Sequence, residues 1–235
     1  MSGPRIKVLS AGAAKTAVAK CVDAFAERSG VTVSYEFATA PVLEETVGSG
    51  TCDADIVVAP VTAIAEFAEA GHLVGGRGPV LGSVKAAVAI RNGANEPDLS
   101  SAENLKQALL AADSIVYNVA SSGQYIHSMI EKMGIAGEVA DRVVRTKTGA
   151  AVMEHLDRSD LTNEIGFGQA TAIQVQIDKG LDVKLLGTLP AEVENISTYG
   201  SALLARADHN REAKDLLDFM ASDEGRAICK STGLI

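Results

Sequence analysis

Ile6-Lys7-Val8-Leu9-Ser10-Ala11-Gly12-Ala13-Ala14-Lys15 is the stretch on which the fold reading turns. Residues 6–9 make a short apolar run. A string of the smallest side chains follows. Val18, Cys21, Val22 and Phe25 then recur at helical spacing until Gly30. The reading is strand, tight junction, helix. Val31, Val33, Tyr35 and Phe37 alternate as a strand does, and residues 42–47 form a short helix stopped by Gly48. Ile56-Val57-Val58 is a buried strand, and Ile64, Phe67 and Ala68 mark a helix that stops at Gly71. The first third therefore reads βαβαβα, with crossover helices and a mainly parallel sheet.

Gly75-Gly76-Arg77-Gly78-Pro79 interrupts that pattern, and strands and helices then resume. Strands are expected at 84–90, 115–117, 143–144, 165–167, 183–186 and, as a long one, 196–204. Helices are expected between them, one opened by a capping box at Ser100 and Glu103. Two helices around Leu216 and Ile228 close the chain. No fixed-period repeat is present. Two βα-rich halves and a late return strand give an α/β fold of two lobes. Lobe 1 takes residues 1–82 and 197–235, lobe 2 takes residues 83–196, and a ligand cleft is expected between them. Ligands of such folds sit at the carboxyl ends of strands, against helix N-termini.

Composition excludes several function classes. Of 235 residues, 47% are hydrophobic and 22% charged, which is ordinary globular usage. Aromatics are 4% and Trp is absent, so a stacking platform for single-stranded nucleic acid is not expected. The net charge of −9 disfavours nucleic acid and anionic membranes as partners. No apolar run is long enough to span a bilayer, and the start at Met1 shows no secretory signal. The expected location is the cytoplasm, or the periplasm if a signal peptide has been lost. Three cysteines without C-x-x-C spacing indicate neither a disulfide framework nor a zinc site. No dinucleotide or P-loop fingerprint occurs, so no cofactor is expected, and the four histidines lack metal-ligand spacing.

The chemistry concentrates at strand-to-helix junctions. Ser10, Ala13 and Ala14 let backbone N–H groups approach a ligand, and Lys15 adds a charge; the plainer reading is a tight turn with a solvated lysine. Phe37-Ala38-Thr39-Ala40-Pro41 places Thr39 or Ala40 at a cap. Ser121, Ser122, Gly123 and Gln124 form an anion cradle at a helix start, unless one serine merely caps the helix. Lys147 and Thr148 precede another helix, and Gln169 follows Gly166-Phe167-Gly168. His127 lies one turn beyond Gly123 and is either a cleft residue or a partly exposed structural one.

The order of these pieces resembles the molybdate-binding protein family, two-lobed receptors of the type-2 periplasmic binding fold. The resemblance rests on Ile6-Lys7-Val8-Leu9-Ser10-Ala11, Gly30-Val31-Thr32-Val33 leading to Phe37-Ala38, Ala54-Asp55-Ile56-Val57 and Gly71-His72-Leu73-Val74. Ile165-Gly166-Phe167-Gly168 and residues 219–227 extend it. It implies a small anion as ligand. The family's serine hydroxyl after strand one matches Ala13 here, its second serine matches Ala40, and its second-lobe tyrosine falls near Gln169. Each missing hydroxyl would cost an oxyanion roughly 1.5–3 kcal/mol. Lys15, Ser121, Ser122, Lys147 and Gln169 suit a di- or tricarboxylate better. Proteins similar to this family include aconitate isomerases, for which Lys15, His127 and Lys147 would be candidate proton shuttles. An ABC permease is not an expected partner of a leaderless chain.

Overall fold

The computed structural model describes residues 5–76 and 78–235. The reading of the Met1 start and the Arg77 position of the Gly-rich interruption lie outside the described residues. The chain divides into two compact units. Unit 1 is Met1–Val84 with Ser197–Ile235, and unit 2 is Lys85–Ile196.

Unit 1 opens with β1 (Arg5–Ala11), α1 (Lys15–Ser29), β2 (Thr32–Ala38), α2 (Ala40–Gly48), β3 (Ile56–Pro60) and α3 (Val61–Glu69). β1 lies between β2 and β3, parallel to both. That position explains its sequence. A central strand covered on both faces buries successive residues, and Ile6, Val8 and Leu9 are all buried. β2 has only β1 beside it in this run of strands, and none of its residues is fully buried. α1 turns Ala17, Val18, Cys21, Val22 and Phe25 inward and ends at Gly30, whose φ of 70° is the left-handed cap conformation. Burying each large aliphatic side chain contributes about 1.5–3 kcal/mol.

β4 (Val80–Arg91) leads into unit 2. There follow α4 (Ala102–Ala111), β5 (Ser114–Asn118), α5 (Ser121–Lys132), α6 (Ala136–Val139), β6 (Val143–Thr146), α7 (Gly149–Arg158), β7 (Glu164–Gln169), α8 (Ala170–Asp178) and β8 (Val183–Thr188). β5 is parallel to β6 and β7. β4 runs antiparallel to β7 and to β8. Ile115 and Tyr117 pack with α4 and α5 residues such as Leu105 and Ile126, while Val116 packs with Val152, Met153 and Leu156 of α7. Helices therefore cover both faces of this sheet.

β9 (Ile196–Leu203) returns the chain to unit 1 antiparallel to β3, and α9 (Arg211–Ala221) and α10 (Asp223–Ser231) pack on α1. The fold is mixed α/β, as the alternating pattern indicated. The start of α4 differs from its expected place. Ser101, not Ser100, caps the helix, its Oγ accepting from the Asn104 N–H at 3.1 Å. Asp98 instead accepts from the Ser100 N–H and the Asn104 side chain, and this side-chain turn shifts the helix by one residue. Among the described residues, no helix is long and apolar enough to cross a membrane.

Candidate functional site

In unit 1 the three parallel strands feed directly into α1, α2 and α3, so all three helices begin at one edge of the sheet. The β1–α1 junction is a single turn of 3-10 helix, Gly12–Ala14. Gly12 is exposed, and a β-carbon there would stand 3.9 Å from the Ala38 carbonyl. Ala14 is buried, and Ala40 nearly so. Ser10 is fully buried and its hydroxyl donates to the Ala11 carbonyl at 3.1 Å, so that side chain is turned into the fold. Lys15 is exposed, with its ammonium 5.1 Å from the centre of the Phe37 ring. A cation over an aromatic face is held without neutralising its charge.

In unit 2, β5, β6 and β7 feed α5, α7 and α8 in the same way. Asn118 organises the first two junctions. It is buried; its Oδ1 accepts from the Ala120 N–H at 2.8 Å and its Nδ2 donates to Ser122 Oγ at 3.2 Å. A β-carbon at Gly149 would lie 3.9 Å from the same Nδ2, and the Val119 N–H donates to the Thr146 carbonyl. The two loops therefore lie side by side. Because Ser122 Oγ accepts from Asn118, its own proton is left to donate elsewhere. At Gly123 a β-carbon would sit 1.7 Å from the Asn118 carbonyl oxygen, so only glycine lets α5 start this close to β5.

The structure thus brings Ser121, Ser122, Gly123, Gln124, Lys147 and Thr148 to one edge of unit 2. Gln169, buried at the end of β7, stands on the same edge. Ser10, Ala13, Ala14, Lys15 and Ala40 stand on the corresponding edge of unit 1. His127 is placed apart from these loops. It lies six residues beyond Ser121, about 9 Å along the helix. Its Nδ1 is 3.1 Å from the Tyr117 hydroxyl and its Nε2 is 3.6 Å from Glu131. Burial pushes the Tyr117 pKa up, opposed in part by Arg145, whose guanidinium lies 4.5 Å from the ring centre. Sequence reading missed Asn118. Its signal was a lone amide at the end of an otherwise apolar strand.

The caps divide the helices by position. Those starting at a carboxyl edge are capped by Ala14, Thr39, Pro60, Ala120 and Gln169 without any side-chain cap bond, α7 with Thr148 being the exception. Of those that start elsewhere, α4, α9 and α10 have side-chain caps from Ser101, Asn210 and Ser222, and the four-residue α6 has none. A side-chain cap contributes typically about 1 kcal/mol. Five helices forgo it where their N–H groups and dipoles favour negative charge. Asp53 and Asp55 do not join these loops: they bind Lys7 and Arg206 where β1 and β3 begin. A hollow of about 340 Å³ at the opposite edge of unit 2 is lined by Asp98, Asn104 and Asn163, whose side chains already bond to neighbours. Among the described residues, no group of three or more His, Cys, Asp or Glu is placed to hold a metal.

Comparison with known proteins agrees with this arrangement. The chain is 23% identical to an aconitate isomerase from Pseudomonas sp., covering 97% of this chain and 87% of that protein. The Azotobacter vinelandii periplasmic molybdate-binding protein superposes with a TM-score of 0.76 at 14% identity, over 98% of each chain. The substrate binding domain of a putative molybdenum ABC transporter from Clostridium difficile gives 0.72 at 15% identity, again over 98% of each. A family described as bacterial extracellular solute-binding protein matches residues 6–235, so the chain belongs to that family.

Proposed function

We propose that this protein binds a small organic anion, a di- or tricarboxylate, through loops at the carboxyl ends of its parallel strands. The observation that carries the reading is that α1, α2, α3 and α5 start at these edges without a side-chain cap bond, whereas α4, α9 and α10, which start elsewhere, each have one. The N-termini of such helices favour a carboxylate through their dipoles and N–H groups. Ser121, Ser122 and Thr148 add hydroxyl donors, and Lys15 and Lys147 supply positive charge. Ala13 and Ala40 offer no hydroxyl, which disfavours a tetrahedral oxyanion ringed by side-chain donors and favours a ligand with separate anionic groups. A thermal-shift panel of molybdate, sulfate, and di- and tricarboxylates tests this. Stabilisation by a carboxylate and none by molybdate is the expected result; the reverse overturns it.

A second reading is supported by the aconitate isomerase relative. Here the same loops hold a polycarboxylate while one residue moves a proton between two of its carbons, and helix N–H groups stabilise the charge that develops. Lys15 and Lys147 are the proton carriers this reading favours, since His127 is engaged by Tyr117 and Glu131. Exchange of ligand C–H for deuterium in heavy water, followed by NMR, separates the two readings. A stabilising ligand that neither exchanges nor converts leaves a binding protein.

A further inference from the structure

We propose that Cys21 and Cys229 are a redox pair that closes to a disulfide, stapling α1 to α10. The two thiols come from opposite ends of the chain, 208 positions apart, and their sulfurs lie 3.8 Å from one another in the core of unit 1. Each residue is 1% exposed. Cys21 also faces the Gly225 carbonyl at 3.7 Å. Gly225 lets α10 start hard against the end of α9, because a β-carbon there would strike the Phe219 and Met220 carbonyls at 2.3 and 2.7 Å. Sequence spacing gives no sign of the pair, since neither cysteine has a cysteine neighbour in the chain.

The inference rests on the chain's family and not on the ligand proposed above. Extracellular proteins work in compartments where disulfides form and persist. The oxidant is a low-molecular-weight disulfide. Cys229 is the attacking group: the contact between the two thiols holds its pKa down, and the same contact and burial push that of Cys21 up. The Cys229 thiolate attacks one sulfur of the oxidant and expels a thiolate, leaving a mixed disulfide. Cys21, losing its proton to solvent or to that thiolate, attacks the Cys229 sulfur and expels the second half. One disulfide is reduced to two thiols as the protein's two thiols become one disulfide. Entry requires local opening of α10, the last helix of the chain.

The staple anchors the helix that begins at Lys15, so it stiffens one of the proposed ligand-binding loops at its root. The test uses the full chain carrying Cys52→Ser, so that two thiols remain. It is reduced, then exposed to oxidised glutathione both when folded and during refolding. The expected product has lost two hydrogens in mass and two labelable thiols, yields one cross-linked peptide joining Cys21 to Cys229, and melts roughly 5–15 °C higher than the reduced form. Cys21→Ser and Cys229→Ser, each in the same background, give neither the cross-link nor the oxidant-dependent melting shift. Two labelable thiols after both treatments, or only glutathione adducts, overturn the proposal. Ligand affinity is not read in this experiment, so its outcome is independent of the carboxylate reading.

Discussion

Unit 1 and unit 2 follow one plan with different chemistry at the edge. In unit 1 the order is β2-β1-β3-β9, three parallel strands and an antiparallel fourth. In unit 2 the order β6-β5-β7-β4 repeats it, and β8 is added beyond β4. In both, the first parallel strand is central and each parallel strand feeds a helix. The unit 1 edge is made of Gly12, Ala13, Ala14, Ala38 and Ala40, with one cation held over Phe37. The unit 2 edge is made of Asn118, Ser121, Ser122, Lys147 and Thr148. The contrast separates two ways of presenting donors. Unit 1 offers backbone N–H groups bared by small residues. Unit 2 offers side chains aimed by a buried amide.

The comparison breaks most easily at the glycines. Gly123→Ala drives a β-carbon into the Asn118 carbonyl and is expected to destabilise the protein by about 3 kcal/mol or more. Gly12→Ala, at the counterpart junction, meets nothing closer than 3.9 Å and should change stability by less than about 0.5 kcal/mol. Urea unfolding measures both, and equal effects would erase the distinction between a packed and an open junction. Ser122→Ala removes one charge-assisted bond and should weaken the carboxylate found in the thermal-shift panel by about 1.5–3 kcal/mol. Calorimetric titration reads it, and an unchanged affinity takes Ser122 out of the site.

Asn118→Ala removes two hydrogen bonds made by a buried side chain. It should lower stability by about 1–3 kcal/mol and also weaken the ligand, because Ser122 loses its orientation. A stability loss with unaltered affinity would mean that the amide only builds the loop. The smallest effect is expected at the lysines. Lys15→Met should weaken binding by about tenfold or less and flatten its dependence on salt, and Lys147→Met should do the same in unit 2. If only one of them changes the salt response, the charge contribution belongs to that unit alone.

Much of this was legible in the sequence, for local reasons. Ile6, Val8 and Leu9 marked a strand because they are apolar and closely spaced, and Val31 to Phe37 marked one because apolar residues take alternate positions. The junction residues stood out because tiny side chains between a strand and a helix have few other uses. The cap of α4 was misplaced by one residue because Ser101, beside the expected Ser100, takes the Asn104 N–H, while Asp98 holds the Ser100 N–H. A capping serine was the plainer alternative to an anion cradle at Ser121 and Ser122, and α5 is capped by Ala120 without a side-chain bond. Which hydroxyl reaches an N–H depends on backbone angles that composition does not specify.

The alternation of strands and helices and the small-residue junctions could be read from the chain alone. These follow from side-chain periodicity and residue size, both local properties. Folding was needed to show that Asn118 steers Ser122, that Gly123 lies against a carbonyl, that Cys21 meets Cys229, and that both units share a strand order. Those facts depend on pairing between distant segments, and strand order leaves no periodic mark in the chain because different side chains can bury the same sheet.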